Sequence, residues 1–149
     1  MADTPFFPLF VNLSGRKILI VGAGEIALRR ARVLAEFGSE LTVTAPDGKE
    51  EMNKLALVWN RRSFEERDLE GANLVFAATS DEILNEKIFR LCKERNILVN
   101  NCSNKEQCDF YFPGIAKREN LVIGVTASGK DHRIAAIITK KLQRWLEKL

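Results

Sequence analysis

Histidine is nearly absent from this sequence, which has only His132 among its 149 residues. Zinc sites that need several histidines are therefore disfavoured, and a Ser-His-Asp triad would have to use that one side chain. A general base at His132 is one alternative, and a surface or capping role near the start of the last helix is the other. We expect a bound cofactor to carry most of the chemistry.

Cysteine is also scarce, and its odd count of three favours free thiols in a reducing compartment over disulfides. The spacing of Cys102 and Cys108 is not a short zinc-binding spacing, so we expect no metal. Apolar runs stay well short of the ~20 residues that span a membrane. The N-terminus lacks the basic start and the long apolar centre of a secretory signal. These features predict a cytoplasmic protein that does not enter a membrane.

An excess of one charge sign is missing too. The 23 basic and 20 acidic residues leave a formal net charge of +3. This excess is too small to indicate nucleic-acid binding, although it suits a polyanionic small molecule.

The most informative stretch is residues 17–27, which reads KILIVGAGEIA. An apolar run that ends in glycines predicts a buried parallel strand entering a tight turn. Gly22 permits the turn, Gly24 lets a pyrophosphate approach the backbone, and Ala27 keeps the next helix close to the strand. The first N–H groups of that helix attract phosphates. The G-x-G-x-x-A spacing in this context predicts dinucleotide binding, and a turn that binds nothing is the alternative.

The rest of the chain alternates strands and helices, which predicts an α/β fold: a Rossmann-type, doubly wound parallel sheet with a short C-terminal helical extension. Predicted strands cover residues 17–21, 40–44, 57–61, 74–78, 97–100 and 121–126, with a possible edge strand at 6–11 and short-strand character at 110–114. Predicted helices start after Gly24, near Lys49, at a Thr79–Glu82 capping box and at His132. Residues 1–113 form the expected NAD-binding domain, and residues 114–149 add a final strand and a helix that we assign to dimerisation, all in one compact unit.

The turn after the second predicted strand bears on the choice of cofactor. Rossmann proteins place there an acid for the ribose of NAD or a base for the 2′-phosphate of NADP. Here Pro46 and Asp47 follow the strand, and the first cation is Lys49. The turn therefore favours NAD.

The last predicted helix carries an apolar stripe at helical period. Its members are Ile134, Ile137, Ile138, Leu142, Trp145, Leu146 and Leu149. Such a stripe packs either on the protein's own sheet or, with an exposed Trp145, against a second subunit. The second alternative predicts a homodimer.

The ordered motifs resemble those of precorrin-2 dehydrogenases, the sirohydrochlorin-forming module of siroheme synthases. The resemblance rests on PLFVNL at residue 8, IVGAGEIA at 20, RRARVL at 29, LTVTAP at 41, VFAATSD at 75 with Asn85, VN at 99, CDFYFP at 108 and TASGK at 126. It implies NAD-dependent dehydrogenation of precorrin-2, with ferrous iron insertion in some members. Many members carry further helices after the Rossmann unit, whereas one predicted helix follows here.

The resemblance also implies where the site residues lie. At the position of the family's catalytic aspartate this chain has Ser103, which cannot replace a carboxylate base, and Asp109 is the nearby candidate. The substrate's carboxylates would meet Arg29, Ser128 and Lys130. A binding module that has lost the catalytic carboxylate is the alternative function. With the glycine turn, the expected cofactor contacts are Gly22, Ala23, Gly24, Glu25, Ile26, Ala27, Pro46, Asp47, Ala78, Thr79 and Asn100.

Overall fold

The structure, a computed structural model, describes residues 4–149 and divides into two compact units. Residues 11–110 form one, called here the sheet unit. Residues 4–10 and 111–149 form the other, called here the hairpin unit. The first three residues of the predicted NAD-binding domain lie outside the described part.

The sheet unit is built on five parallel strands in the order β3-β2-β1-β4-β5. The strands are β1 (Lys17–Val21), β2 (Glu40–Thr44), β3 (Val58–Asn60), β4 (Leu74–Ala77) and β5 (Leu98–Asn101). The helix α1 (Glu25–Ala35) connects β1 to β2, and α2 (Glu82–Glu94) connects β4 to β5. The order reverses between β1 and β4, where the carboxyl ends of such sheets open a ligand-binding crevice. The predicted fold class is confirmed.

The two central strands form the middle of the core because their residues are apolar on both faces. Ile18, Ile20 and Val75 are completely buried. Short 3-10 helices at Glu50–Lys54 and Glu66–Leu69 add Met52 and Leu69 to the core, and a third covers Lys105–Gln107. A core of this kind holds the carboxyl ends of β1 and β4 in fixed positions.

The predicted capping box at Thr79 is wrong. The N-cap of α2 is Asp81, whose Oδ1 accepts from the backbone N–H groups of Ile83 and Leu84 at 3.0 and 3.1 Å. The Thr79 hydroxyl oxygen instead accepts from the Asp81 N–H at 3.1 Å. Two capping residues compete here, and the aspartate next to the first helical turn is the one that reaches its amides.

The hairpin unit holds an antiparallel pair, β6 (Gly114–Arg118) and β7 (Leu121–Val125), followed by α3 (His132–Glu147). The segment at 121–126 is therefore not a sixth strand of the parallel sheet, and the strand at 114–118 was not predicted. Only Glu119 and Asn120 separate the two strands. Because a two-residue connection can join only antiparallel neighbours, this short turn fixes the pairing.

The predicted edge strand at 6–11 is also wrong, because those residues form no strand. Pro8 lacks the N–H group that a ladder needs. Phe6 stacks on Tyr111 instead, with ring centroids 4.0 Å apart. No helix between residues 4 and 149 is long and apolar enough to cross a bilayer.

One side of α3 packs closely on the hairpin. Leu146 is buried, and a Cβ on Gly114 would lie 2.2 Å from the Thr139 Oγ1. Gln143 bonds to both backbone groups of Lys117. Much of the predicted stripe is nevertheless exposed. The exposed part is called here the outer apolar face of α3, and it comprises Ile134, Ile137, Ile138 and Trp145 of the helix with Leu149 just beyond its end.

Candidate dinucleotide-binding site

The glycine turn after β1 is closed by contacts from both neighbouring strands. The Gly22 N–H donates to the Thr44 carbonyl at 2.9 Å, and the Ala78 N–H donates to the Val21 carbonyl at 2.8 Å. Gly22 has a φ of +113°, and a Cβ there would lie 2.3 Å from the Ala78 oxygen. Only glycine tolerates both the φ angle and the contact.

The N-terminus of α1 is open in front of the turn. Gly24 is its N-cap residue and provides no side-chain cap. A Cβ on Gly24 would meet nothing within 4 Å. The N–H groups of the first helical turn have no acceptor within the helix, and the helix dipole adds partial positive charge. Since Ala27 is fully buried against the sheet, these donors are held in a fixed place that fits a pyrophosphate.

The turn after β2 folds back onto the glycine turn. The Lys49 N–H donates to the Ala23 carbonyl at 2.8 Å, and a Cβ on Gly48 would lie 2.2 Å from the Ala23 Cβ. Pro46 and Asp47, both predicted cofactor contacts, are exposed in this turn. Gly48 was not predicted as part of the site, although an Asp-Gly pair is a known turn signal.

The segment after β4 forms the third side of the turn. Ala78 and Thr79, both predicted cofactor contacts, follow β4 directly, and the Thr79 nitrogen would lie 3.0 Å from a Cβ on Gly22. Thr79 is held by Asn85, a fully buried residue of α2 that bonds to its N–H, hydroxyl and carbonyl. Sequence reasoning used Asn85 only as a mark of resemblance.

Ser103 lies just after β5, and its hydroxyl is engaged on both sides. The hydroxyl donates to the Asn101 Oδ1 at 2.8 Å and accepts from the Asn85 Nδ2 at 3.1 Å. A hydroxyl has one hydrogen to donate and two lone pairs. Ser103 can therefore accept one more bond in this arrangement but has no hydrogen left to give.

The Asp109 carboxylate accepts hydrogen bonds from residues of α2 and β5. Its carboxylate accepts from the Lys93 Nζ at 2.6 Å and from the Val99 N–H at 3.0 Å. Lys93 lies in the last turn of α2. Because α2 connects the parallel strands β4 and β5, its C-terminal end lies at the edge of the sheet opposite the glycine turn. These contacts favour a structural role for Asp109, and its role as a base stays a prediction.

Asn100 is buried, with 4% of its surface exposed, and its side-chain amide bonds to the segment that follows β5. Its Nδ2 donates to the Phe110 carbonyl at 2.8 Å, and its Oδ1 accepts from the Cys102 thiol at 3.4 Å. The contact of Asn100 with a cofactor stays a prediction.

The arginine pair of α1 splits between solvent and interior. Arg29, the predicted substrate contact, is exposed. Arg30 is partly buried, with its guanidinium carbon 5.5 Å from the centre of the Phe76 ring. Burial raises the pKa of the Cys102 thiol, and the Arg30 guanidinium beside it opposes this effect.

The other two thiols are also held neutral at pH 7. Burial raises the pKa of Cys108 to about 11 and that of Cys92 to about 12. All three cysteines are free. Since the thiolate is the reactive form, these side chains are poor nucleophiles and poor metal ligands as they stand.

Ser128 and Lys130 lie in the hairpin unit, between β7 and α3. Ser128 adopts a φ of +54°, and its N–H donates to the Thr126 Oγ1 at 3.1 Å. Asp131 caps α3 immediately after Lys130. Their contact with a substrate stays a prediction.

Comparison with known proteins agrees with this geometry. A family model described as "Putative NAD(P)-binding" matches residues 9–114. The chain belongs to this family.

Individual relatives extend the similarity to nearly the whole chain. The siroheme synthase of Pseudomonas fluorescens (strain SBW25) is 39% identical over 145 residues, which cover 95% of this chain and 31% of that protein. The "Probable multifunctional siroheme biosynthesis protein HemA" of Ruminiclostridium josui is 34% identical over 143 residues, covering 93% of this chain and 28% of that one. This NAD(P)-binding chain thus spans about a third of the length of the curated relatives it matches.

A solved structure matches as well. The protein titled "SirC, precorrin-2 dehydrogenase" superposes with a TM-score of 0.79 at 25% identity, covering 95% of this chain and 74% of that one. Its fold is therefore shared across both units of this member of the NAD(P)-binding family.

The Gly24→Val variant tests the glycine turn directly. The new side chain would enter open space, so the protein should fold, but the space for the phosphates would be filled. We expect the variant to lose NAD binding by calorimetry while it keeps its circular-dichroism spectrum and nearly its melting temperature.

Gly124→Val is the matched control, because a Cβ there meets only ordinary contacts with Pro113 at 3.7 Å or more. It should bind NAD like the wild type. A folded Gly24→Val protein with unchanged NAD affinity would place the site elsewhere.

Proposed function

We propose that this chain catalyses the NAD-dependent dehydrogenation of precorrin-2 to sirohydrochlorin in siroheme biosynthesis. The observation that carries the proposal is the open N-terminus of α1 behind Gly24, in a chain similar over 95% of its length to a precorrin-2 dehydrogenase structure. The similarity to siroheme synthases supports the same pathway.

The cofactor supplies the hydride acceptor, and the protein's own residues supply binding and orientation. The amides of Glu25, Ile26 and Ala27 would hold the pyrophosphate. The carboxyl ends of β4 and β5, with Thr79 and Ser103, would face the substrate end. Arg29, Ser128 and Lys130 would pair with the substrate's carboxylates. The second hydrogen leaves the substrate as a proton.

A binding module without turnover is the second candidate, and one observation favours it. Neither predicted catalytic side chain is poised as a base: the Ser103 hydrogen is donated to Asn101, and the Asp109 carboxylate pairs with Lys93. Such a protein would bind NAD and the tetrapyrrole without transferring a hydride.

Anaerobic incubation with precorrin-2 and NAD separates the two functions. The enzyme should form sirohydrochlorin, followed by its absorbance spectrum, and the nicotinamide should become reduced. Ferrous iron added afterwards would reveal iron insertion, which the resemblance implies for some members. NAD binding without sirohydrochlorin formation would contradict the enzyme and support the binding module.

Asp109→Asn tests whether this carboxylate is the base. Loss of a positioned base costs about 10²-fold or more, whereas a structural role predicts a smaller loss in turnover by the folded variant. Lys93→Met is the matched control because it breaks the same ion pair from the other side. We expect similar, modest losses for both variants. A loss of about 10²-fold for Asp109→Asn alone would make Asp109 the base.

We further propose that NAD is preferred over NADP. The cations near the end of β2 are already paired, Lys49 with Glu25 at 3.8 Å and Arg61 with Glu50 at 3.2 Å, and Asp47 would repel a 2′-phosphate. The wild type should therefore bind NAD more tightly by calorimetry.

Asp47→Arg should shift the preference toward NADP. Glu40→Arg is its control, with the same charge change at the start of β2, the opposite end of that strand. Tighter binding of NADP by the wild type would overturn the preference.

We propose that residues 114–149 form a homodimer through the outer apolar face of α3. Four large apolar side chains of α3, together with Leu149 just after it, are exposed there, each by 40% or more. Apolar patches of this kind mark association sites, and two-fold dimers are the commonest soluble oligomers.

We also propose a cytoplasmic location for this protein. Its three cysteines are free thiols, which suit a reducing compartment.

Ile137→Glu tests the dimer by sedimentation, in which a monomer would have the chain mass of 16.9 kDa and a dimer twice that mass. The wild type should sediment as a dimer and the variant as a monomer, because a carboxylate in an apolar interface is costly. Ile83→Glu is the control, since Ile83 is exposed on α2 in the other unit. A monomeric wild type at micromolar concentration would rule the dimer out.

A further inference from the structure

Asn85 is a fully buried amide in the first turn of α2, and every one of its hydrogen-bonding positions is filled. Its Oδ1 accepts from the Thr79 hydroxyl at 2.7 Å and from the Thr79 N–H at 3.2 Å. Its Nδ2 donates to the Thr79 carbonyl at 3.0 Å and to the Ser103 hydroxyl at 3.1 Å. An asparagine side chain has two donors and two acceptor positions, so none remains.

Three of these four bonds fix one residue, Thr79, through all of its polar groups. The peptide between Ala78 and Thr79 is the one that contacts Gly22: a Cβ on Gly22 would lie 2.3 Å from the Ala78 oxygen and 3.0 Å from the Thr79 nitrogen. The peptide is thus held from one side by the glycine turn and from the other by the Asn85 amide.

The fourth bond reaches the neighbouring strand. Ser103 follows β5, and both its N–H and its hydroxyl donate to the Asn101 Oδ1 at 3.0 and 2.8 Å. Asn101 in turn donates to the Gln107 Oε1 at 2.7 Å. The Asn85 amide therefore joins the end of β4, beside the glycine turn, to the loop that follows β5.

We propose that Asn85 is a positioning residue for the dinucleotide. It acts through Thr79, whose peptide it holds at the distance from Gly22 that leaves the space in front of α1 open. Through Ser103 it fixes the start of the loop after β5 at the same point. The inference rests on the proposed binding of NAD at the glycine turn and names a residue that this binding requires.

A purely structural role for Asn85 predicts a different result. A buried amide must be bonded wherever it lies, and its loss destabilises a fold whether or not a ligand binds nearby. In that case the variants would melt at lower temperature but, once folded, would bind NAD with the affinity of the wild type. Dinucleotide affinity of the folded protein is therefore the readout that separates the two roles.

The test is NAD calorimetry, well below each melting temperature, on the wild type, Asn85→Ala, Asn85→Ser and Ile88→Ala. Ile88 is the matched control, since it is equally buried on α2 but packs in the apolar core. We expect Asn85→Ala to weaken NAD binding by about tenfold or more, because small displacements of positioning groups carry losses of this size. Ile88→Ala should lower the melting temperature and leave the affinity within about twofold of the wild type.

Asn85→Ser covers the case in which Asn85→Ala does not fold. The serine hydroxyl keeps one donor and an acceptor without adding a buried charge, but it replaces only part of the four bonds, so the NAD affinity of this variant should fall between those of the wild type and Asn85→Ala. In steady-state assays with precorrin-2, the KM for NAD should rise in the Asn85 variants, while kcat at saturating NAD changes less.

Two outcomes would overturn the inference, and they are distinguishable. Folded Asn85 variants that bind NAD as tightly as a wild type that does bind it would leave the proposed function intact and reduce Asn85 to a structural residue. Failure of the wild type itself to bind NAD would overturn the proposed function, and this inference would fall with it.

Discussion

The contact between Gly22 and the Ala78 carbonyl is the constraint on which the site depends. It brings the chain leaving β1 so close to the chain leaving β4 that a Cβ would lie 2.3 Å from the Ala78 oxygen. The close approach lets α1 start directly behind the sheet, with its first amides facing outward and Ala27 buried beneath them. Buried strands on both sides keep the contact in place, so the first amides of α1 are held in position for an anion.

The rest of the sheet edge at which the parallel strands end is held together by side-chain amides. Asn85, Asn100 and Asn101 are all buried, and each bonds across a loop or between loops. Amides suit this role because they offer donors and acceptors without carrying a charge, and a buried charge would need a partner. The edge is therefore polar without a buried charge, and the predicted catalytic carboxylate, Asp109, is paired with Lys93 away from it.

Sequence patterns predicted the elements whose signal is local and strong. The apolar run before Gly22 and the nearly all-apolar β4 identified the two central strands, because only a strand buried on both faces is so uniformly apolar. The pairing of the C-terminal strands escaped prediction, since it depends on the two-residue turn at Glu119 and Asn120 that no glycine marks. Thr79 was a reasonable cap by spacing, but the competing cap at Asp81 is visible only in three dimensions.

In the site too, residues with a local sequence signal were predicted, and residues that depend on distant contacts were missed. Spacing alone predicted the turn at Gly22 and the close packing of Ala27, because the backbone dictates both, and the cofactor role of Gly24 stays a prediction. The role of Gly48 depends on its contact with Ala23, and that of Asn85 on bonds to residues six and eighteen positions away. Neither contact leaves a repeating pattern in the sequence from which it could be predicted. The stripe of α3 was found by its period, but which side of it would be exposed depended on how the helix packs on β6.

Amide hydrogen exchange with and without NAD tests the central claim most directly, because it locates binding residue by residue. We predict that NAD slows exchange at residues 22–27 and 78–80, while amides at the start of β2 and in the last turn of α1 are unchanged. Protection that spares residues 22–27 under conditions where NAD is bound would contradict the account.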